Sequence, residues 1–263
     1  MSSPATPTPA TRPVAMITGP TAGIGRVFAL RLAQRGYDFV LVARDEARLK
    51  SLADELQTAY GATSEILVAD LVDRAQLQTV EQRLADGSRP VDLLVNNAGF
   101  GLKRRFLDNT VEQEQDHLDV LVTAPMRLMH AALGPMTRRH AGGIINVSSV
   151  AGFQPRGSYS AAKAYLNRFG EWASHEYGKR GVRIMTLCPG FTRTEFHERM
   201  DVGRDAVPRP LWLPVDRVVD EALADFDAGK SFSIPSKRYK VITSVSRHLP
   251  PRLLQRFQSL GRR

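Results

Sequence analysis

Glycines stand at 19, 23 and 25 in the run Thr18-Gly-Pro-Thr-Ala-Gly-Ile-Gly25, behind the apolar stretch 14–18 and ahead of a helical apolar spacing over 24–35. No other stretch restricts the fold as much. Glycine lets the backbone take left-handed angles and approach another group closely, and the first turn of a helix leaves N–H groups free at a partial positive charge. A strand, a glycine turn and a helix N-terminus in succession therefore form an anion site suited to a pyrophosphate. Gly19, Thr21, Gly23, Ile24 and Gly25 are expected to line it.

The rest of the chain repeats this alternation. Strands are expected at 38–42, 64–68, 92–95, 144–147, 183–187 and 231–234, the last at the sheet edge, and helices at 45–60, 73–86, 110 to about 139, 158–180 and 216–228. Alternation of this kind predicts an α/β fold, a doubly wound parallel sheet of about seven strands with helices on both faces. With 263 residues and 43% hydrophobic content, one large core suffices for one domain over 14–235. In dinucleotide folds an acidic residue near the end of the second strand bonds the ribose hydroxyls, whereas an Arg accommodates a 2′-phosphate. Here that place holds Arg44, with Asp45 after it, so NADP(H) is expected ahead of NAD(H). The alternative is a solvated Arg44 and an Asp45 that caps the next helix.

Chemistry is expected around Ser148, Ser149, Tyr159 and Lys163. The two serines end a buried strand. Tyr159 and Lys163, four apart, share one face of a helix. A free phenol has a pKa of about 10, and a nearby cation lowers it, which makes Tyr159 a candidate general acid/base.

Taken together, Thr18 to Gly25, Asn96-Asn-Ala-Gly99, Tyr159-Ser-Ala-Ala-Lys163 and Pro189-Gly-Phe-Thr-Arg-Thr194 resemble, in order and interval, the short-chain dehydrogenase/reductase family over about residues 14–235. The resemblance implies a Rossmann-type sheet and hydride transfer between a nicotinamide cofactor and a carbonyl. It further implies that Ser149 holds the substrate oxygen, Tyr159 passes it a proton, and Lys163 lowers the phenol pKa and binds the nicotinamide ribose. Asp70 would bond the adenine and Leu71 line its pocket, with a helix cap as the other role for Asp70. Asn97, Ala98 and Gly99 would let the cofactor approach the backbone. Pro189 and Gly190 would turn the chain toward the nicotinamide, and Thr194 would bond its carboxamide. Many relatives pair through the helix that carries Tyr159, so a homodimer or homotetramer is expected, with Ala164, Phe169 and Trp172 in the core or at that contact.

Two positions depart from the family pattern. Leu121 stands where relatives place an Asn that holds a water linking the active-site Lys to solvent protons. Ser149 lies ten residues before Tyr159, closer than is usual, which shortens the loop 153–158 and should open that wall of the site. The segment 195–214 corresponds to a mobile lid. With Phe100, Leu102, Phe106, Phe153, Phe191, Phe196, Met200 and Trp212 it suggests an apolar, elongated carbonyl substrate. His197 is given no role.

Residues 1–13 carry no apolar signal core and are expected to be a disordered tail; no run approaches a membrane span, so a cytoplasmic protein is expected. Cys188, the only cysteine, excludes an internal disulfide and is expected to be a buried thiol; no metal is expected. Nine of the 36 basic residues fall in 230–263 with no Asp or Glu, so the remaining 27 balance the 27 acidic residues and a nucleic-acid-binding body is not expected. In the extension 236–263, apolar residues from Tyr239 to Phe257 interleave with these charges, which fits either peripheral membrane contact or packing on the domain. The expected function is NADP(H)-dependent interconversion of an apolar ketone or aldehyde and its alcohol. Its rival is a nucleotide-binding sensor or membrane-associated scaffold with little turnover, favoured by Leu121.

Overall fold

The computed structural model describes residues 12–102, 104–195 and 208–248. Among the described residues seven strands form one parallel sheet: β1 (Val14–Thr18), β2 (Asp38–Ala43), β3 (Ser64–Val68), β4 (Leu93–Asn96), β5 (Gly142–Val147), β6 (Val182–Leu187) and β7 (Phe232–Ser233). Their order is β3-β2-β1-β4-β5-β6-β7, the doubly wound topology expected. Parallel strands are covered on both faces, so they need apolar residues at successive positions rather than alternate ones. β1 is buried along its whole length. Ala15 and Ile17 face one core, with Phe28 and Leu32 of α1 (Gly23–Gln34), Leu49 and Leu56 of α2 (Glu46–Tyr60) and Val218 and Leu223 of α7 (Val215–Asp227). Val14 and Met16 face the other, with Leu77 and Val80 of α3 (Arg74–Ala85) and Leu128 and Leu133 of α5 (Ala124–Arg138).

The sequence also dictates where several helices start. Asp45 caps α2 by accepting from the Arg48 N–H at 3.0 Å, and Asp73, not Asp70, caps α3 by accepting from Ala75 and Gln76. Thr110 and Gln113 cap α4 (Val111–Leu118) reciprocally. The helix expected from 110 to 139 is not uniform: a π-helical turn at Asp119–Thr123 separates α4 from α5. In an α-helix Pro125 would have to donate to the Leu121 carbonyl, and proline has no N–H. The widened turn at that point sits beside α6 (Ser158–Gly178), which carries Tyr159 and Lys163.

Arg12, assigned to the tail from sequence, belongs to the domain. Its guanidinium donates to the carbonyls of Gly36, Tyr37, Tyr60 and Gly61 and ties two loops together. Residues 1–11 and 196–207 of the expected tail and lid, with Phe196, His197 and Met200, lie outside the described residues, as do 249–263.

The basic extension begins as α8 (Lys237–His248), which buries Tyr239 and Thr243 and exposes Val241, Ile242 and Val245. Packing on the domain therefore holds for part of the helix. The Tyr239 hydroxyl accepts from the Phe191 N–H at 3.0 Å and donates to the Leu211 carbonyl at 2.8 Å. Its ring lies so near Gly190 that a Cβ there would fall 2.0 Å from it. Tyr239→Phe should keep the ring and lose both bonds, lowering stability by about 1–3 kcal/mol in urea unfolding; an unchanged midpoint would show that the clamp carries no stability.

Candidate active site

Two turns meet at the carboxyl ends of β1 and β4. The Asn97 side-chain amide donates to the carbonyls of Thr18 and Gly19, both at 2.9 Å, and the Thr18 hydroxyl accepts from the N–H groups of Asn97 and Ala98 at 3.0 Å. A Cβ on Gly25 would lie 2.3 Å from both Gly19 O and Asn97 Nδ2, so only glycine fits. Gly19 and Gly23 have φ of +64° and +53°. A Cβ on Gly23 would sit 3.1 Å from the Thr194 side chain, which brings the chain after β6 to the same cradle. Gly19, Gly23, Gly25, Asn97, Ala98 and Thr194 are thus gathered in one place, with Ile24 packed against the core beside them.

The remaining predicted cofactor residues divide. Arg44 is 74% exposed at its side chain and lies 3.6 Å from the Asp70 carboxylate, so these two flank one edge of the cleft. Asp70 also accepts from Val72 N–H at 3.1 Å. Leu71 lines the interior near Lys163, and Gly99 abuts the Leu121 side chain. The Pro189 carbonyl accepts from Val150 N–H, which joins the turn after β6 to the turn after β5. Arg48 was not singled out from sequence. It donates to the Thr21 carbonyl at 3.1 Å and pairs with Glu195 at 3.0 Å, placing a second guanidinium at the glycine turn.

The three predicted catalytic residues come together. Ser148 donates to the Lys163 carbonyl at 3.0 Å and is structural, whereas Ser149 accepts from Ala151 N–H and shares a hydrogen bond with the Tyr159 phenol. Lys163 is buried below them; its ammonium donates to the Val147 carbonyl at 2.8 Å and stands 5.7 Å from the Tyr159 ring centre. The expected electrostatics need correction. Burial pushes the Tyr159 phenol up to about 12 against the opposing pull of the Ser149 bond, and pushes Lys163 down to about 8. Desolvation of both groups outweighs the help the ammonium was expected to give the phenol. Cys188 is buried as expected and donates to the Asn167 side-chain oxygen at 3.2 Å.

His117 was also missed. It is buried, its ring stacked on Tyr159 at 6.1 Å between centres and edge-on to Phe100 at 5.4 Å. The available signal was a lone imidazole one helical turn before Leu121 on the face that carries the family's Asn. Leu121 itself is buried and walls a cavity of about 10 Å³ beside Lys163, room for about one water.

A family profile described as short chain dehydrogenase matches residues 13–204. The chain belongs to the short-chain dehydrogenase family. The structure of a short-chain dehydrogenase from Sphingobium yanoikuyae in complex with NADPH is similar at 34% identity and TM-score 0.83, covering 89% of this chain and 93% of that one. A bulky-bulky ketone specific alcohol dehydrogenase from Comamonas testosteroni is similar at 30% identity and TM-score 0.78, covering 89% and 91%. A human protein named inactive hydroxysteroid dehydrogenase-like protein 1 is 30% identical over 205 residues, 76% of this chain and 60% of its own length.

The buried ammonium makes a pH prediction. Between about 8 and the usual 10.5 the unfolded chain holds a proton on this lysine that the folded chain has released, so stability rises with pH across that window. Lys163→Met should be more stable than the wild type at pH 7 without cofactor and should lack this rise. Urea unfolding of both at pH 7 and pH 10 tests it; parallel curves would mean that burial does not burden the ammonium.

Proposed function

We propose that the chain reduces bulky, mostly apolar ketones or aldehydes with NADPH and runs the reverse oxidation of the alcohols. The observation that carries this is the Ser149–Tyr159 hydrogen bond above a buried Lys163, at the same end of the sheet as the glycine cradle. The cradle suits a dinucleotide, since its glycines bring strand end, turn and helix N-terminus closer together than side chains would allow and Gly19 and Gly23 hold left-handed angles. Asp45 is engaged in capping α2, which leaves Arg44, with Arg48 nearby, to meet a 2′-phosphate. NADPH would supply the hydride. Ser149 would hold the carbonyl oxygen and Tyr159, protonated throughout the neutral range, would give it a proton. Phe100, Phe153, Phe191 and Trp212 supply apolar surface, with Phe191 and Trp212 packed at 5.7 Å. That the Comamonas relative is bulky-bulky ketone specific supports the same substrate class.

A second reading, nucleotide binding with little turnover, is favoured by Leu121. We also assign the aromatic ladder on α6, Tyr165, Phe169 and Trp172, as the face through which two copies pair, since Trp172 remains 51% exposed.

Two substitutions test the enzyme reading. Tyr159→Phe should keep NADPH binding and lose roughly 10²–10⁴ in turnover of a bulky aryl ketone; turnover at the wild-type rate would refute the acid assignment. Arg44→Ala should weaken NADPH binding while leaving NADH binding nearly unchanged, and equal effects on the two cofactors in a fluorescence titration would remove Arg44 from the phosphate site.

A further inference from the structure

After each reduction Tyr159 has given up its proton and must regain one from solvent. On the Lys163 side the surroundings are mostly apolar. The cavity beside the ammonium has polar lining only from Thr18, Asn96 and Lys163, and Leu71, Val120, Leu121, Leu128 and Leu166, all buried, close around it. Leu121 offers no side-chain group that could hold a water in line with the outside.

The other side of Tyr159 is built differently. The His117 ring stacks toward the phenol at 6.1 Å between centres, and both of its ring nitrogens are buried, with only a poorly aligned contact to the Phe100 backbone between them. Glu114, three residues earlier on α4, is buried as well; one carboxylate oxygen accepts from the Asn109 amide at 2.8 Å and the other is buried without a partner. Asn109 lies at the surface margin, next to the exposed residue Thr110 that caps α4. Buried polar atoms are nearly always paired, because leaving one unpaired costs about 1–3 kcal/mol. Three buried polar atoms without a well-aligned partner, on two side chains one helical turn apart and electrostatically coupled, call for a role beyond packing. Burial disfavours the charged imidazole and the Lys163 charge adds to this, while Glu114 and the Phe100 backbone oppose it; the net direction is down, so the ring is neutral at pH 7. A neutral imidazole can give a proton from one nitrogen and take one at the other.

We propose that His117 returns the proton to Tyr159, drawing it from the surface along Glu114 and Asn109, a route that takes the place of the one closed by Leu121. In this step an N–H bond of His117 breaks and the O–H bond of Tyr159 re-forms, while the second ring nitrogen gains a proton passed on by the Glu114 carboxyl, which takes one in turn from a hydronium ion at the surface beside Asn109. The net change is one solvent proton consumed and one water released, and the ring returns to its first tautomer by exchange with solvent before the next turnover. The proposal rests on Tyr159 being the acid.

The test compares the wild type with His117→Leu, using NADPH and a bulky aryl ketone. In a single turnover the phenol starts protonated, so the variant should match the wild type. Over many turnovers it should fall about tenfold or more, recover with added imidazole, and recover again when Leu121→Asn is combined with it. In the cofactor-free protein the phenolate absorbance of Tyr159, isolated by difference from Tyr159→Phe, should titrate at higher pH once the imidazole is gone. Equal loss in single and multiple turnovers without imidazole rescue would reduce His117 to a packing residue and overturn the proposal. Unchanged rates with an unmoved phenolate titration would overturn it too. Full turnover by Tyr159→Phe would instead overturn the acid assignment beneath it.

Discussion

One side-chain amide holds the two functional turns in register. Asn97 reaches across from the end of β4 to bind both carbonyls at the end of β1, and the space left is so small that position 25 admits only glycine. In the strand order, β1 and β4 are the neighbours where the sheet reverses its winding, and a crevice opens there because connections leave to opposite faces. The amide thus fixes the floor of that crevice. The Thr18 hydroxyl secures the same junction from the other side, so glycine turn and Asn-Asn-Ala-Gly turn behave as one rigid piece.

Above that floor the molecule tolerates electrostatics that oppose its stability. A phenol and an ammonium are buried within reach of each other, and desolvation works against the charged form of each. The Val147 carbonyl offsets part of the burden on Lys163, and Ser149 part of that on Tyr159. Burial thus keeps the phenol in its neutral, proton-donating form. Functional sites commonly keep such unfavourable groups because replacing them would stabilise the chain and end the chemistry.

Much of this was legible because the constraints were local. Glycine turns, helix caps at Asp45 and Thr110, and the apolar strands follow from backbone rules that act over a few residues, and the parallel sheet then follows from the alternation. The Ser149 and Tyr159 pair was also legible, since a strand end and a helix start place them. The break in the long helix was not: its apolar spacing is helical throughout, and only the missing N–H of Pro125 hints at the wide turn. The pKa balance escaped because proximity of Tyr159 and Lys163 follows from spacing, whereas the depth of burial depends on the whole core. His117 escaped because a lone buried histidine carries no pattern; its meaning comes from what α6 brings against it. Arg12 was misassigned since the carbonyls that bind it lie in loops far along the chain.

Tyr239 sits outside the segment 192–210 yet binds the residue on either side of it, Phe191 where it departs and Leu211 where it returns. Backbone bonds join the same banks directly, Leu213 N–H to the Phe191 carbonyl at 2.8 Å and Arg193 N–H to the Leu213 carbonyl at 3.0 Å, and Tyr239 adds a tie from the C-terminal helix. Thr194 and Glu195, just past the first bank, reach Gly23 and Arg48, so one short segment carries the support of the C-terminal helix through to the glycine turn at the other end of the chain.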